Sequence, residues 1–541
     1  MRRRWTQNSV LFAALILLVF GLSPASTNPI ATTHHPRPKL VVILVIDQFR
    51  SDYLERFRPQ FVARGFNLLL DGGANFVNCR YDYACTETAP GHASIFTGAY
   101  GNVHGIVGNS WYDRAAKRPV ASVEDTTTTL VGGGGGVGSS PRRLLGSTIG
   151  DELRMATNFR AKVVSISLKD RSAVLPGGHT ANAAYWDDPQ LGQFVTSTYY
   201  LQSLPAWVAN FNNESQAKAY CGKTWEALPE NPGAQGKFLS QYKAAANEPC
   251  PNGRFRQWLR VTPFMNKIQL DFALAAIRGE HLGQNQTTDL LAISLSVNDF
   301  IGHAYGPYSS EVADNVLRTD HYLSEFFAAL DRQVGLENAW IILTADHGVA
   351  PTPAYAREHG LGQHPAQPDE VTKAIESALS EAFGHDQWIE YAEGTAFYLN
   401  EATLKKHQVE AARAQTVAAE AAASVPGVYA AYTRQQLLSG ALLASPYARN
   451  VTNCFYSQRS GDVFVVFGPY ANPSTRETGA GHGSPWNYDA QVPMVLWGAA
   501  FRPGSYSTNC QPIDLAATLA AALGISQPSG AQGQPLVQAV K

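Results

Sequence analysis

The chain has 541 residues, 45% of them apolar and 16% charged, an ordinary balance for a soluble globular protein. That length holds one large core with insertions, or two modest ones. The formal net charge of −2 excludes a general attraction to nucleic acid or anionic membrane, so any selectivity for an anionic substrate must come from locally placed cations.

Residues 1–25 read as a secretory signal: Arg2, Arg3 and Arg4 precede an apolar stretch, Val10 to Leu22, and then Ser23-Pro24-Ala25. The alternative is an uncleaved anchor, but the run is short for the ~30 Å of a bilayer core. No cysteine near the cleavage region suggests a lipoprotein anchor. The expectation is an exported protein, periplasmic or secreted, with no stable membrane anchor after cleavage.

Four apolar runs read as fully buried parallel strands. Leu40 to Ile46 ends at Asp47, and Val163 to Leu168 ends at Lys169-Asp170-Arg171. Leu290 to Val297 ends near Asp299, and Ala339 to Thr344 ends at Asp346-His347. Helical stretches alternate with them: Leu145 to Ala156, Val312 to Gln333 and Val371 to Phe383. This alternation predicts an α/β fold, a mostly parallel central sheet with helices on both faces, forming a single catalytic domain over 40–530. Insertions are expected at about 180–262, rich in Tyr, Trp, Pro and Asn, and at about 387–468; the first suits a cap. Gly132 to Gly136 reads as a mobile loop, without the Gly-Lys-Ser/Thr ending of a phosphate-binding P-loop.

Six cysteines in an exported protein fit disulfides, with buried free thiols as the alternative. Pairing of sequence neighbours is expected: Cys79 with Cys85, Cys221 with Cys250, Cys454 with Cys510. None has the Cys-x-x-Cys spacing of a zinc or redox site.

In a sheet of this kind, ligands bind beyond the carboxyl ends of the strands, where these polar groups fall. Asp299-Phe-Ile-Gly-His303 places a carboxylate and an imidazole within one tight loop, Asp346 and His347 are adjacent, and His482 lies among glycines in Gly479 to Ser484. Together with Asp47, this mixed Asp/His set without thiolate favours catalytic zinc. Alone, each Asp reads equally well as a turn or helix cap.

In Glu87-Thr-Ala-Pro-Gly-His92, Pro90 fits the first turn of a helix, placing Thr88 where exposed amides favour an anion. Thr88 is then a candidate nucleophile, if a metal takes up its proton, or simply an N-cap. Thr86 and Ser94 are rival hydroxyls, and His92 reads as structural. Lys169 and Arg171 alternate after a strand and can share one cleft, with Asp170 pointing away. Asn109 is a neutral donor in a glycine-rich turn.

These residues resemble those of the alkaline phosphatase superfamily over Leu40 to about Leu523, most closely its periplasmic phosphate-irrepressible (PafA-like) members that use threonine. The matching motifs are Val45-Ile-Asp-Gln-Phe-Arg50, Thr88-Ala-Pro-Gly-His92, Gly105-Ile-Val-Gly-Asn109, Leu168-Lys-Asp-Arg171, Asp299-Phe-Ile-Gly-His303, Thr344-Ala-Asp-His-Gly348 and Gly481-His-Gly483. The resemblance implies two Zn2+ per chain. One would be held by Asp299, His303 and His482, the other by Asp47, Asp346, His347 and the Thr88 oxygen. Asn109, Lys169 and Arg171 would contact phosphoryl oxygens. It further implies hydrolysis of small phosphomonoesters, with broad specificity, through a phosphothreonine on Thr88.

The Lys-x-Arg pair is the monoesterase feature. The alternatives are a nucleotide pyrophosphatase/phosphodiesterase or phosphonate hydrolase of the same superfamily, or a non-catalytic phosphate-binding protein. Cys85-Thr-Glu-Thr-Ala89 lacks the Pro and Arg that a sulfatase formylglycine motif requires.

Overall fold

β-Branched and leucine-rich runs are satisfied best where both faces are covered, and the central strands of the main sheet are largely such runs. The computed structural model describes residues 37–245, 247–362, 367–442, 447–471 and 479–541. The expected signal at 1–25 lies outside them. Among the described residues no helix is long and apolar enough to cross a membrane.

Eleven strands form the main sheet. Leu40–Ile46 lies at its centre, parallel to Asp289–Leu295 on one side and Ala339–Thr344 on the other. Val163–Ser167 and then Ala183–Asp188 continue the parallel set. Antiparallel neighbours close both flanks: Met494–Trp497 beside Ala339–Thr344, and Gln193–Ser197 beside Ala183–Asp188. Every residue of Leu40–Ile46, Asp289–Leu295 and Ala339–Thr344 is buried. Two of the covering helices are Phe264–Gly279 and Ser310–Gln333, which pack against each other.

The stretch expected as an insertion at about 180–262 begins inside the main sheet, since Ala183–Asp188 and Gln193–Ser197 are two of its strands. Its remainder carries helices Ala206–Asn213 and Gly253–Arg260 and a small hairpin of Thr224–Glu226 with Phe238–Gln241. The buried carboxylate of Asp314 anchors that hairpin, accepting from Trp225 Nε1 at 2.6 Å and Leu228 N at 2.6 Å. A separate four-stranded sheet, Ile389–Glu393, Ala396–Leu399, Val463–Phe467 and Val428–Thr433, has its own apolar core with helices Pro368–Phe383 and Ala411–Ala423. Gly132 to Gly136 joins the hairpin strands Glu124–Val131 and Val137–Ser139.

The cysteine pairing corrects the expectation at two of three places. Cys221 does bond Cys250, but Cys85 bonds Cys454. Cys79 and Cys510 are buried thiols opposite one another on neighbouring extended segments. Sequence proximity fails here because Cys85 faces helix Ala448–Cys454, whose residue Asn450 accepts a hydrogen bond from Ala84 N at 3.0 Å.

Candidate active site

The carboxyl ends of the central strands deliver their polar residues to one place. Asp47 follows Leu40–Ile46, and Asp346 and His347 follow Ala339–Thr344; all three side chains are fully buried. Asp299 and His303 are not in a loop, as their spacing first suggested, but one turn apart on helix Val297–Tyr305. The i,i+4 relation puts both on one helix face, with His303 Nε2 3.2 Å from Asp299 Oδ1.

Each of three imidazoles uses Nδ1 on a backbone carbonyl: His303 on Ala480 at 2.7 Å, His347 on Gly348 at 2.9 Å and His482 on Thr86 at 2.8 Å. Such bonds fix the tautomer and turn Nε2 towards the centre. The rings stand in a column, His303 to His482 at 5.0 Å and His482 to His347 at 3.7 Å between centroids.

Two clusters of donor atoms result, one of Asp47, Asp346 and His347, the other of Asp299, His347 and His482. His347 belongs to both. Asp47 Oδ1, Asp346 Oδ2 and His347 Nε2 are buried without a hydrogen-bond partner. The nearest candidate for Asp346 Oδ2 is His92 Nδ1 at 3.3 Å, which is engaged with the Thr88 carbonyl at 2.8 Å. Orphaned buried acceptors of this kind are costly, and an N/O donor set without thiolate fits a divalent metal such as zinc.

The ionisation pattern agrees. Burial, and then the neighbouring Asp346, push the Asp47 carboxyl well above its ordinary range, against the opposing pull of Lys169. Burial acts the same way on Asp299 and Asp346, but Lys169 with His303 and His347 with His92 overcome it and hold both carboxyls low. Burial, and for His482 the adjacent His347, depress the two stacked imidazoles. They are therefore neutral, the form that ligates metal.

Thr88 is the first residue of helix Thr88–Thr97 and 1% exposed. Glu87 is the N-cap and no side chain caps the helix, so the Thr88 hydroxyl is free of the capping role. Gly91 allows this helix to lie against Asp346, since a Cβ there would collide with the Asp346 carbonyl. The rival hydroxyls are engaged elsewhere. Thr86 Oγ donates to Ser484 O at 2.9 Å and accepts from Ser484 N at 2.8 Å, while Ser94 faces His104. His92 is structural, held between the Thr88 carbonyl and Ser294 Oγ, the latter at 2.8 Å.

Lys169 Nζ lies 2.7 Å from Asp47 Oδ2, 2.7 Å from Asp299 Oδ2 and 3.4 Å from Thr88 Oγ. Burial opposes its charge, but the two carboxylates more than compensate and raise its pKa. Arg171, in the first turn of helix Asp170–Gly177, has a buried Nε without a partner. Asp170 turns aside to accept from Ser139 Oγ at 3.0 Å. Asn109 accepts from Ala89 N at 2.9 Å through Oδ1, leaving its Nδ2 as the donor.

Sequence reasoning missed Gln48. Its backbone is in the left-handed region at φ 60°. From there its N–H reaches Asp346 Oδ1 at 3.0 Å and Nε2 reaches Asp299 Oδ1 at 2.9 Å. It joins the two clusters, and Gly302 is required because a Cβ there would collide with its amide oxygen. Glu393 was also missed. It reaches over from the four-stranded sheet to accept from Ser110 Oγ at 2.5 Å, next to Asn109.

The profile of a family described as type I phosphodiesterase / nucleotide pyrophosphatase matches residues 41–488. Alkaline phosphatase PhoV of Synechococcus elongatus is 36% identical, over 93% of this chain and 93% of its own. Alkaline phosphatase PafA of Elizabethkingia meningoseptica is 34% identical, over 97% of this chain and 98% of its own. The crystal structure of wild-type alkaline phosphatase PafA matches at a TM-score of 0.85 and 33% identity, covering 94% of this chain and 100% of that one.

Proposed function

The chain belongs to the type I phosphodiesterase / nucleotide pyrophosphatase family, within the alkaline phosphatase superfamily, and from that premise we propose that this phosphatase cleaves small phosphomonoesters through a phosphothreonine on Thr88. Two zinc ions are the proposed cofactors, one held by Asp47, Asp346, His347 and Thr88, the other by Asp299, His303 and His482. When bound, such ions supply Lewis acidity, easing loss of a hydroxyl proton and stabilising negative charge on oxygen. The observation that carries the reading is the buried Thr88 hydroxyl, without a capping role and 3.4 Å from Lys169 Nζ, beside orphaned carboxylate and imidazole atoms.

Thr88 Oγ attacks phosphorus, the bond from phosphorus to the ester oxygen breaks, and the alcohol leaves. Water then attacks the phosphothreonine from the vacated side, releasing inorganic phosphate and restoring the hydroxyl. Two in-line displacements give net retention at phosphorus. Lys169, Arg171 and the Asn109 amide grip the non-bridging oxygens, where charge gathers in a loose transition state. Arg171 offers a planar fork and Lys169 a compact charge.

The family profile is named for phosphodiesterases, whereas PhoV and PafA, similar over nearly their whole length, are alkaline phosphatases. The Lys169/Arg171 pair favours monoesters, because a monoester dianion presents three oxygens to cations and a diester only two. Relative turnover of p-nitrophenyl phosphate and bis-p-nitrophenyl phosphate decides between them. Acid quenching during turnover, followed by peptide mass analysis, should find phosphate on Thr88, and Thr88→Ala should abolish the adduct with metal content retained. Turnover by Thr88→Ala at near-normal rate would sink the reading. Cys85–Cys454 and Cys221–Cys250 support export to an oxidising compartment.

A further inference from the structure

Arg260 ends helix Gly253–Arg260, distant in sequence from every motif of the site, yet its guanidinium lies behind the phosphoryl grip. Nη1 pairs with Asp187, and the two side chains are 16% and 2% exposed. Nη2 donates to the carbonyl of Leu168 at 3.3 Å, the peptide that begins Lys169. Its face lies over Phe300, with Cζ 5.4 Å from the ring centroid, and Lys169 Nζ is 5.2 Å from the same ring. Phe300 directly follows Asp299. The register explains the meeting: Ser167 pairs with Trp186 across two parallel strands, so Leu168 and Asp187 stand at one level along the sheet.

We propose that Arg260 is a positioning residue for the reaction: held by Asp187, it fixes the Leu168 carbonyl and the Phe300 ring and so sets where Lys169 and Arg171 meet the phosphoryl group. The inference rests on the reading of those two cations as phosphoryl ligands. A lysine has a long flexible stem, so the place of its ammonium depends on how firmly its root is held. Displacement by about 1 Å in such a site can cost about a hundredfold in rate. The planar fork of arginine can hold a carboxylate and a carbonyl while stacking on an aromatic face; an ammonium cannot do all three. Arg260 does not itself touch substrate, since its groups are engaged with Asp187, Leu168 and Phe300.

The test uses the full chain loaded with zinc, the variants Arg260→Met and Arg260→Lys, and three readouts: kcat/KM for p-nitrophenyl phosphate, kcat/KM for bis-p-nitrophenyl phosphate, and inhibition by inorganic phosphate. Arg260→Met should lower monoester kcat/KM by about ten- to a hundredfold and weaken phosphate inhibition in proportion, with diester kcat/KM changed less than about threefold. In a Lys169→Ala background it should cost less than it does in the parent, because part of its effect runs through Lys169. Equal losses on both esters, or full additivity with Lys169→Ala, would overturn the proposal and leave Arg260 a mere tether for its helix. Should Arg260→Met fail to fold, Arg260→Lys keeps the ion pair and must still shift the monoester-to-diester ratio in the same direction; an unchanged ratio overturns it. If Lys169→Ala itself leaves the ratio unchanged, the reading of Lys169 fails and takes this inference with it. If Lys169→Ala shifts the ratio and the Arg260 variants do not, this inference alone fails.

Discussion

The imidazoles of His347 and His482 stack with ring centroids 3.7 Å apart and planes 22° from parallel. His347 Nε2 faces Asp47 Oδ1 at 3.5 Å and Asp346 Oδ2 at 3.6 Å, while His482 Nε2 faces Asp299 Oδ1 at 3.7 Å. Removing His347 therefore strips a proposed ligand from the Asp47 and Asp346 cage, and removing His482 one from the Asp299 cage. Elemental analysis should find about one retained zinc per chain in His482→Ala and in His347→Ala alike. Chelation should abolish turnover of both variants and of the parent, and added zinc should restore the parent. Full metal content in His347→Ala would refute its role as a ligand.

Lys169→Ala and Arg171→Ala should each depress monoester turnover by about a hundredfold or more, the scale of losing one strong donor to a charged transition state. Diester turnover should fall much less, since one gripped oxygen is already replaced. The check is kcat/KM for the paired p-nitrophenyl substrates. Equal losses would remove the basis for monoester preference.

Much of this site is legible in the sequence because burial makes polar strand ends conspicuous. Asp47, Asp346 and His347 follow fully buried, largely apolar strands, and no packing requirement calls for them there. The helix carrying Asp299 and His303, read from the sequence as a tight loop, was also within reach, since the apolar Val297 and Ile301 stand at helical spacing. Gln48 was not legible, because its role depends on a left-handed backbone and on partners 251 and 298 residues away. The same holds for Cys85–Cys454, with a separation of 369 residues. It holds too for Glu393, which arrives from a sheet with its own core. Such contacts are set by how distant elements pack, which local patterning does not encode.

His104 provides a pH test away from the metal donors. It is fully buried, accepts from Ile106 N at 3.1 Å through Nδ1 and faces Ser94 Oγ at 3.2 Å through Nε2. Burial, and then the nearby Arg459, lower its pKa from 6.5 to about 3. The unfolded chain therefore binds more protons than the folded one between these values, and stability falls as pH drops through that window. From pH 7 to 4.5 the contribution is about 2–3 kcal/mol. Urea unfolding at both pH values should show a shallower loss for His104→Gln than for the parent. Identical slopes would contradict the assignment.

The bond between Cys85 and Cys454 ties the loop before Thr88 to helix Ala448–Cys454. The double variant Cys85→Ser/Cys454→Ser should lose about 2–5 kcal/mol of stability, read as a lower melting temperature. Under denaturing, non-reducing conditions, thiol titration of the parent should find the two sulfhydryls of Cys79 and Cys510. Finding none would mean that these two are oxidised as well.

The donors to both clusters are drawn from positions 47 to 482. A nascent polypeptide that has not yet reached His482 therefore holds one cage incomplete. Under the proposed chemistry, hydrolytic power arises only once elements far apart along the chain have folded together.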